Sequence, residues 1–309
     1  MTRLHYIILL LGLLLLGSCG TYKRSFSETL KEIPATSKKP IYRLDLSHQN
    51  LLEAPEKIEE LAHLKMLNLS ANVGLNLEEF FEKISNPERI EILILDSLQL
   101  TVVPQNIKRF THLKHLSLNN NPKADFNAIF KTVNTLPITF VNLQNNALKE
   151  LPPAIGDLKD ITHINLSYNR LHSGQVYTIL TMLPKLNSLW LNHNQFTELP
   201  PEIGQLSSLR NLYIEHNALT DLPEEITGLS KVWVLHAGHN QFKEIPTALS
   251  RMKILLLLHI NNNRIHTIPE EFASKKHSIK GIIVDNNALS DADKKRWSKE
   301  FDHCFISSF

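Results

Sequence analysis

Apolar residues recur along this chain as a fixed phrase. The clearest copy runs Leu186-x-x-Leu189-x-Leu191-x-x-Asn194-x-Phe196-x-x-Leu199-Pro200-x-x-Ile203-x-x-Leu206. The next copy starts at Leu209 and passes through Leu212, Ile214, Asn217, Leu219, Leu222, Pro223, Ile226 and Leu229. Eleven copies, about 23 residues apart, open at Ile41, Leu64, Ile90, Leu113, Ile138, Ile161, Leu186, Leu209, Val232, Leu255 and Ile279. The first half of each alternates apolar and polar positions, which predicts a short strand with alternate side chains inward. The second half predicts a return along loop and short helical turns. Units of this size cannot bury an apolar face alone, so stacking them predicts an α/β solenoid with a parallel sheet on its concave face.

Asparagine recurs at the turn after each predicted strand, at Asn72, Asn121, Asn146, Asn169, Asn194, Asn217, Asn240, Asn263 and Asn287. Its amide both donates and accepts, so it can satisfy backbone groups in a buried turn. Gln49 and Leu98 break the series, and Leu98 predicts a local weakness in the third repeat. The repeats that start at Leu64, Leu113 and Ile161 are longer and lack the usual Leu-Pro pair. Their spacing predicts helices over 77–84, 126–133 and 176–183, with Phe80, Phe81 and Ile84, or Ile129, Phe130 and Val133, toward the core.

The two ends depart from the repeat. Residues 26–40 (Phe26, Leu30, Ile33, Pro34) resemble the second half of an incomplete repeat and predict an N-terminal cap. Residues 290–309 predict a helical C-terminal cap, opened by Ser290-x-x-Asp293 and covering the last repeat with Trp297, Phe301, Cys304 and Phe305. Residues 1–18 are expected to be a signal peptide: Arg3 precedes an apolar run from Ile7 to Leu16 that is short for a bilayer span. Leu16-Gly17-Ser18-Cys19 resembles the bacterial lipoprotein signal, or lipobox. That resemblance implies cleavage before Cys19, acylation of Cys19, and a tether over 19–25. The alternative is an ordinary cleaved signal with an incidental cysteine.

Composition narrows the function. The net charge of +2 gives no electrostatic case for nucleic acid, which asks for a basic stripe. With Cys19 modified, Cys304 has no partner for an internal disulfide. No G-x-G-x-x-G, P-loop, H-E-x-x-H or C-x-x-C motif occurs, so neither an enzyme nor a cofactor is expected.

The informative variation lies at the positions expected to face the concave surface: 3, 5, 7 and 8, counted from the first apolar residue of each repeat. In the first five repeats these read as mostly small or polar, as at Ser47, Asn68, Ser70, Ser117, Asn119, Asn142 and Gln144. From the sixth repeat, position 5 becomes Trp190, Tyr213, His236 and His259, while position 8 gives Tyr168, His193, His216 and His239. Glu215 stands between them at position 7. Aromatic residues exposed on a rigid sheet suit an interface, where Trp and Tyr concentrate binding energy. These nine residues form the predicted partner-binding patch. The competing account is cross-strand pairing that only stabilises the sheet. A histidine ladder also raises metal capture, but adjacent strand positions point in parallel whereas zinc needs converging ligands, so no metal site is expected.

The motif N-x-L-x-x-L-P-x-x-I-x-x-L, as in Asn146-x-Leu148-x-x-Leu151-Pro152-x-x-Ile155-x-x-Leu158, resembles the 23-residue leucine-rich-repeat class found in bacterial surface proteins and in plant and animal signalling scaffolds. With the lipobox, it resembles bacterial leucine-rich-repeat lipoproteins. The resemblance implies a curved, non-enzymatic protein-interaction platform. The expectation is a monomer, anchored at Cys19 in the bacterial cell envelope (outer membrane or cell surface), that binds a protein ligand. Carbohydrate or cell-wall binding is the alternative, and a structural envelope component without a dedicated ligand is a third reading.

Overall fold

Alternation along each repeat sends positions 4 and 6 inward and positions 3 and 5 outward, and the short strands obey it. The computed structural model describes residues 29–33, 40–172, 174–273 and 277–309. Strands β1 (Arg43–Asp45), β2 (Met66–Asn68), β3 (Ile92–Ile94), β4 (His115–Ser117), β5 (Phe140–Asn142) and β6 (His163–Asn165) come from the first six repeats. Strands β7 (Ser188–Trp190), β8 (Asn211–Tyr213), β9 (Val234–His236), β10 (Leu257–His259) and β11 (Gly281–Ile283) follow from the next five, and β12 (Ile306–Ser308) closes the series. All pair in parallel, in chain order, as one open sheet. The register aligns like positions, so Trp190 pairs with Tyr213, Tyr213 with His236, and His236 with His259. Behind the sheet the position-4 and position-6 residues, such as Leu189 and Leu191, are fully buried.

The convex side follows from repeat length. In the shorter repeats proline leads into a single 3-10 turn, as Pro200 does into Pro201–Gln205 and Pro223 into Glu224–Gly228. Its fixed φ suits that entry position. The longer repeats have room for α-helical turns: α1 (Leu77–Glu82), α2 (Phe126–Val133) and α3 (Gln175–Leu180). Asn76 caps α1 by accepting from the Glu79 amide, and Asp125 caps α2 by accepting from that of Ala128. Phe80, Phe81, Ile129, Phe130 and Tyr177 fill the space behind them.

The recurring asparagines form a hydrogen-bonded column, broken at Leu98. Asn194 Nδ2 donates to the carbonyls of Leu166 (3.0 Å), Leu191 (3.0 Å) and Asn192 (3.3 Å). Its Oδ1 accepts from the Leu171 amide at 3.0 Å. Each copy therefore ties its own turn to the one before. Leu98 has no such groups and is buried among apolar side chains. Asn121 on its far side still donates to Leu95 O and accepts from the Leu98 and Leu100 amides.

At the N-terminal end Leu30 bridges to Leu44 of β1, its amide donating to Arg43 O, while Leu30 and Ile33 pack against the core. The predicted signal peptide, Cys19, the tether, Phe26 and Pro34 lie outside the described residues. At the other end Ser290 caps α4 (Asp291–Glu300), accepting from the Asp293 amide, and Trp297 and Phe301 are buried. The expected cap of helix alone is incomplete. Cys304 and Phe305 lie past the helix, and Ile306–Ser308 adds β12 to β11 through Phe305 N to Lys280 O and Val284 N to Ser308 O. An unpaired β11 would leave a row of open backbone groups, which the strand satisfies. Cys304 is half-buried, and burial pushes its thiol up to about 11, which removes the thiolate a nucleophile needs.

Candidate functional site

Position 8 has a backbone rule of its own. His48, Ala71, Ser97, Asn120, Asn145, Tyr168, His193, His216, His239, Asn262 and Asn286 all take φ between 52° and 59°. This left-handed conformation costs an L-residue about 1–2 kcal/mol, and Asn tolerates it best. Four repeats already place Asn there. In the four successive repeats from the sixth to the ninth, the chain instead places large rings in it.

Those rings stack as a column. Tyr168 lies on His193 with centroids 4.1 Å apart and planes 13° from parallel. His193 lies on His216 and His216 on His239, both at 3.9 Å and within 13°. A second column runs beside it at position 5: Trp190 on Tyr213 at 5.3 Å, then Tyr213 on His236 at 4.6 Å. His259 ends that column edge-on to His236, at 4.3 Å and 70°. Offset stacking of this kind adds about 0.5–1.5 kcal/mol per pair.

Glu215 joins the two columns. Its Oε1 is 3.8 Å from His236 Nδ1. The His236 imidazole, with help from His216 and His259, holds the Glu215 carboxyl below its ordinary range against the opposing effect of burial. Burial, and then the Glu215 charge, raises the Tyr213 phenol, which stays a hydrogen-bond donor. Burial lowers His193, with His239 acting in the same sense and Glu215 against. His216 is lowered by burial and by its two stacked histidine neighbours. Near neutral pH Glu215 is therefore a carboxylate beside His193 and His216, both held below the ordinary imidazole range.

The stacking also fixes what the patch can offer. Ring faces are taken up by neighbours above and below, so ring edges point into the concavity. An edge carries the positive side of the aromatic quadrupole and, in His, Tyr and Trp, the polar N–H, N or O–H groups. The planes of His193, His216 and His239 lie nearly parallel, so their nitrogens do not converge on one point. Among the described residues no group of three His, Cys, Asp or Glu side chains has metal-site geometry.

Residues 184–242 match the family model described as Leucine rich repeat. The chain has the leucine-rich-repeat fold. It is 31% identical over 187 residues, 57% of its length, to an adenylate cyclase of Schizosaccharomyces pombe, of which it spans only 10%. Among solved structures it is similar to an internalin of Listeria monocytogenes, with a TM-score of 0.55 at 19% identity, covering 87% of this chain and 66% of that one. A TLR13 chain solved with ssRNA13 gives a TM-score of 0.64 at 18% identity, covering 81% of this chain and 40% of that one. At these identities the two structures speak for the fold alone.

The structure brings all nine predicted patch residues of this leucine-rich-repeat chain together and adds members that the sequence reading missed. His115 stacks on Phe140 at 4.4 Å, Phe140 approaches His163 at 5.9 Å, and both Phe140 and His163 lie 6.2 Å from Trp190. The position-3 residues of repeats four to six thus extend the position-5 column of repeats seven to ten into one oblique aromatic row. Burial pushes His115 down to about 4. The first repeats are also less polar than expected at these positions. Met66, Ile92, Ile94 and His115 floor a concave cavity of about 520 Å³ edged by Arg43, Glu91 and Lys114. Tracking position 3 down the same repeat frame exposes both features.

Proposed function

We propose that this chain is a non-enzymatic binding protein, lipid-anchored in the bacterial envelope, that holds a protein partner on the concave face of repeats six to ten. The observation that carries the reading is the pair of ring columns meeting at Glu215, one of them filling a left-handed backbone position that four other repeats give to Asn. Such occupancy asks for a return that Asn, used at the same position in other repeats, does not give. Solenoids of this kind use their concave surface for binding. Trp190 and Tyr213 supply half-buried aromatic anchors, and His193, His216, His236, His239, His259 and exposed Tyr168 surround them with polar edges. A polypeptide matches those edges with carbonyls and carboxylates. A sugar would present its C–H groups to ring faces, most of which are occupied here by stacked neighbours, so the geometry favours protein over carbohydrate.

The test compares the chain from Gly20 onward with a variant carrying Tyr168→Asn, Trp190→Asn, Tyr213→Asn and His216→Asn. Repeats of this chain already place Asn at these positions, so the variant is expected to fold. Envelope or host proteins captured by the parent and lost by the variant support the reading. Capture that is identical, or displaced by soluble glycans, contradicts it.

Anchoring rests on Leu16-Gly17-Ser18-Cys19. Expression of the full chain in bacteria with labelled palmitate is expected to label the parent and not Cys19→Ala. Equal label in both would remove Cys19 from the account.

A further inference from the structure

Position 2 of each repeat lies on the lateral edge of the solenoid, where the chain enters its strand. Late in the chain these residues follow one another through backbone hydrogen bonds: Trp233 N to Arg210 O, Leu256 N to Trp233 O, and Lys280 N to Leu256 O. Trp233 is 39% exposed and Leu256 41%, with Ile254, two residues earlier, also 41%. Repeats five to seven place Thr139, Thr162 and Asn187 at this position. Nothing in the repeat requires an apolar residue here, since Leu255 and Leu258 already fill the core.

The charge leading into strands β8 to β11 is one-sided, and Asp302, on the segment that leads into β12, is the first carboxylate of that series. The segments leading into the strands, residues 206–210, 229–233, 252–256 and 277–280, contain Arg210, Lys231, Lys253 and Lys280 and no carboxylate. None of these four makes a salt bridge among the described residues. On the same edge earlier in the chain cations are neutralised, Lys65 and Lys114 by Glu91, and Lys185 by Asp160. A tryptophan with aliphatic neighbours, ringed by free cations, is the chemistry of a membrane interface: the indole sits at headgroup depth and each cation near anionic lipid adds about 1 kcal/mol.

We propose that the lateral edge of repeats eight to eleven docks on an anionic phospholipid surface, with Trp233, Ile254 and Leu256 entering the headgroup region. The edge is exposed, and its cations match an anionic surface. Docking through this lateral edge leaves the concave ring columns uncovered and available to a partner.

The test is co-sedimentation of the chain from Gly20 onward with phosphatidylcholine vesicles, with and without phosphatidylglycerol. That chain keeps every described residue, including both covered sheet ends, and lacks Cys19, so the outcome is independent of lipidation and of the concave partner. Two variants of confirmed fold accompany it: Trp233→Thr with Leu256→Thr, which copies the chain's own residues at this position, and Arg210→Gln with Lys231→Gln and Lys280→Gln. The expected result is binding to the anionic vesicles that weakens with added salt and falls about tenfold or more in each variant. No binding by the parent, equal binding to neutral vesicles, or equal binding by the variants would overturn the proposal. The first of these outcomes would leave the apolar edge to a protein.

Discussion

Histidine is where single residues decide most in this molecule. Burial holds His115, His163, His193, His216, His259 and His277 below the ordinary imidazole value, with His115 pushed to about 4. A base lowered in the folded state takes up its proton more readily when unfolded, so acid favours unfolding. The stability these rings contribute is whole above about pH 6.5 and is lost as pH falls toward about 4. The melting temperature is therefore expected to drop between about pH 7 and about pH 5. Changing His193 and His216 together to Asn should flatten part of that drop, because two imidazoles that burial holds low in the folded state are then absent. A parent profile that is flat, or a variant equally steep, would contradict the assignment. Partner binding is expected to follow the same titration, and equal affinities at about pH 5.5 and about pH 7.5 would count against the histidines as contacts.

At the scale of the element, the asparagine column makes each turn depend on its neighbour. Asn194→Ala removes three donated bonds and one accepted bond from a buried turn, and should cost about 2–4 kcal/mol in denaturant unfolding. A loss under about 1 kcal/mol would show that the turn satisfies itself by other means. Leu98 interrupts the column. Elsewhere the position-9 Oδ1 accepts from the position-9 or position-11 amide of the preceding repeat, or from both. Leu98 gives no such acceptor to Asn72 and Gly74, so their amides should exchange faster than the equivalent amides of Asn146 and Leu148, which have Asn169. Exchange no faster than in those neighbours would sink this reading. The strand-and-turn frame was legible because the apolar phrase recurs in register from Ile41 to Leu289. β12 was not, because Ile306-Ser307-Ser308 carries no repeat phrase and is recruited by the open edge of β11. The extended aromatic row was half legible. Position 5 names Trp190, Tyr213, His236 and His259 directly, whereas Phe140 and His163 enter it from position 3 by crossing obliquely over the sheet. The left-handed backbone under Tyr168 and the histidines is foreshadowed only by Asn120, Asn145, Asn262 and Asn286 at the same place.

The whole molecule is one stack whose surfaces divide the work. The core and the asparagine column are the same in kind from end to end, so they set architecture and say little of purpose. Difference is concentrated late in the chain. There the concave face gathers rings around Glu215, and the lateral edge gathers Trp233, Ile254 and Leu256 among cations that have no salt bridge among the described residues. The family explains the shape, and the departures from its repeat at positions 2, 5 and 8 carry the functional account. Its central claim is that the ring columns are a protein-binding surface and not decoration of the sheet. The most direct measurement is the dissociation constant of the captured partner for the parent and for the variant in which Tyr168, Trp190, Tyr213 and His216 are all Asn, with equal melting temperatures as the control. Loss of interface anchors of this type predicts a weakening of about a hundredfold or more. An unchanged constant in an equally folded variant would show that the columns only brace the sheet, and would contradict the account.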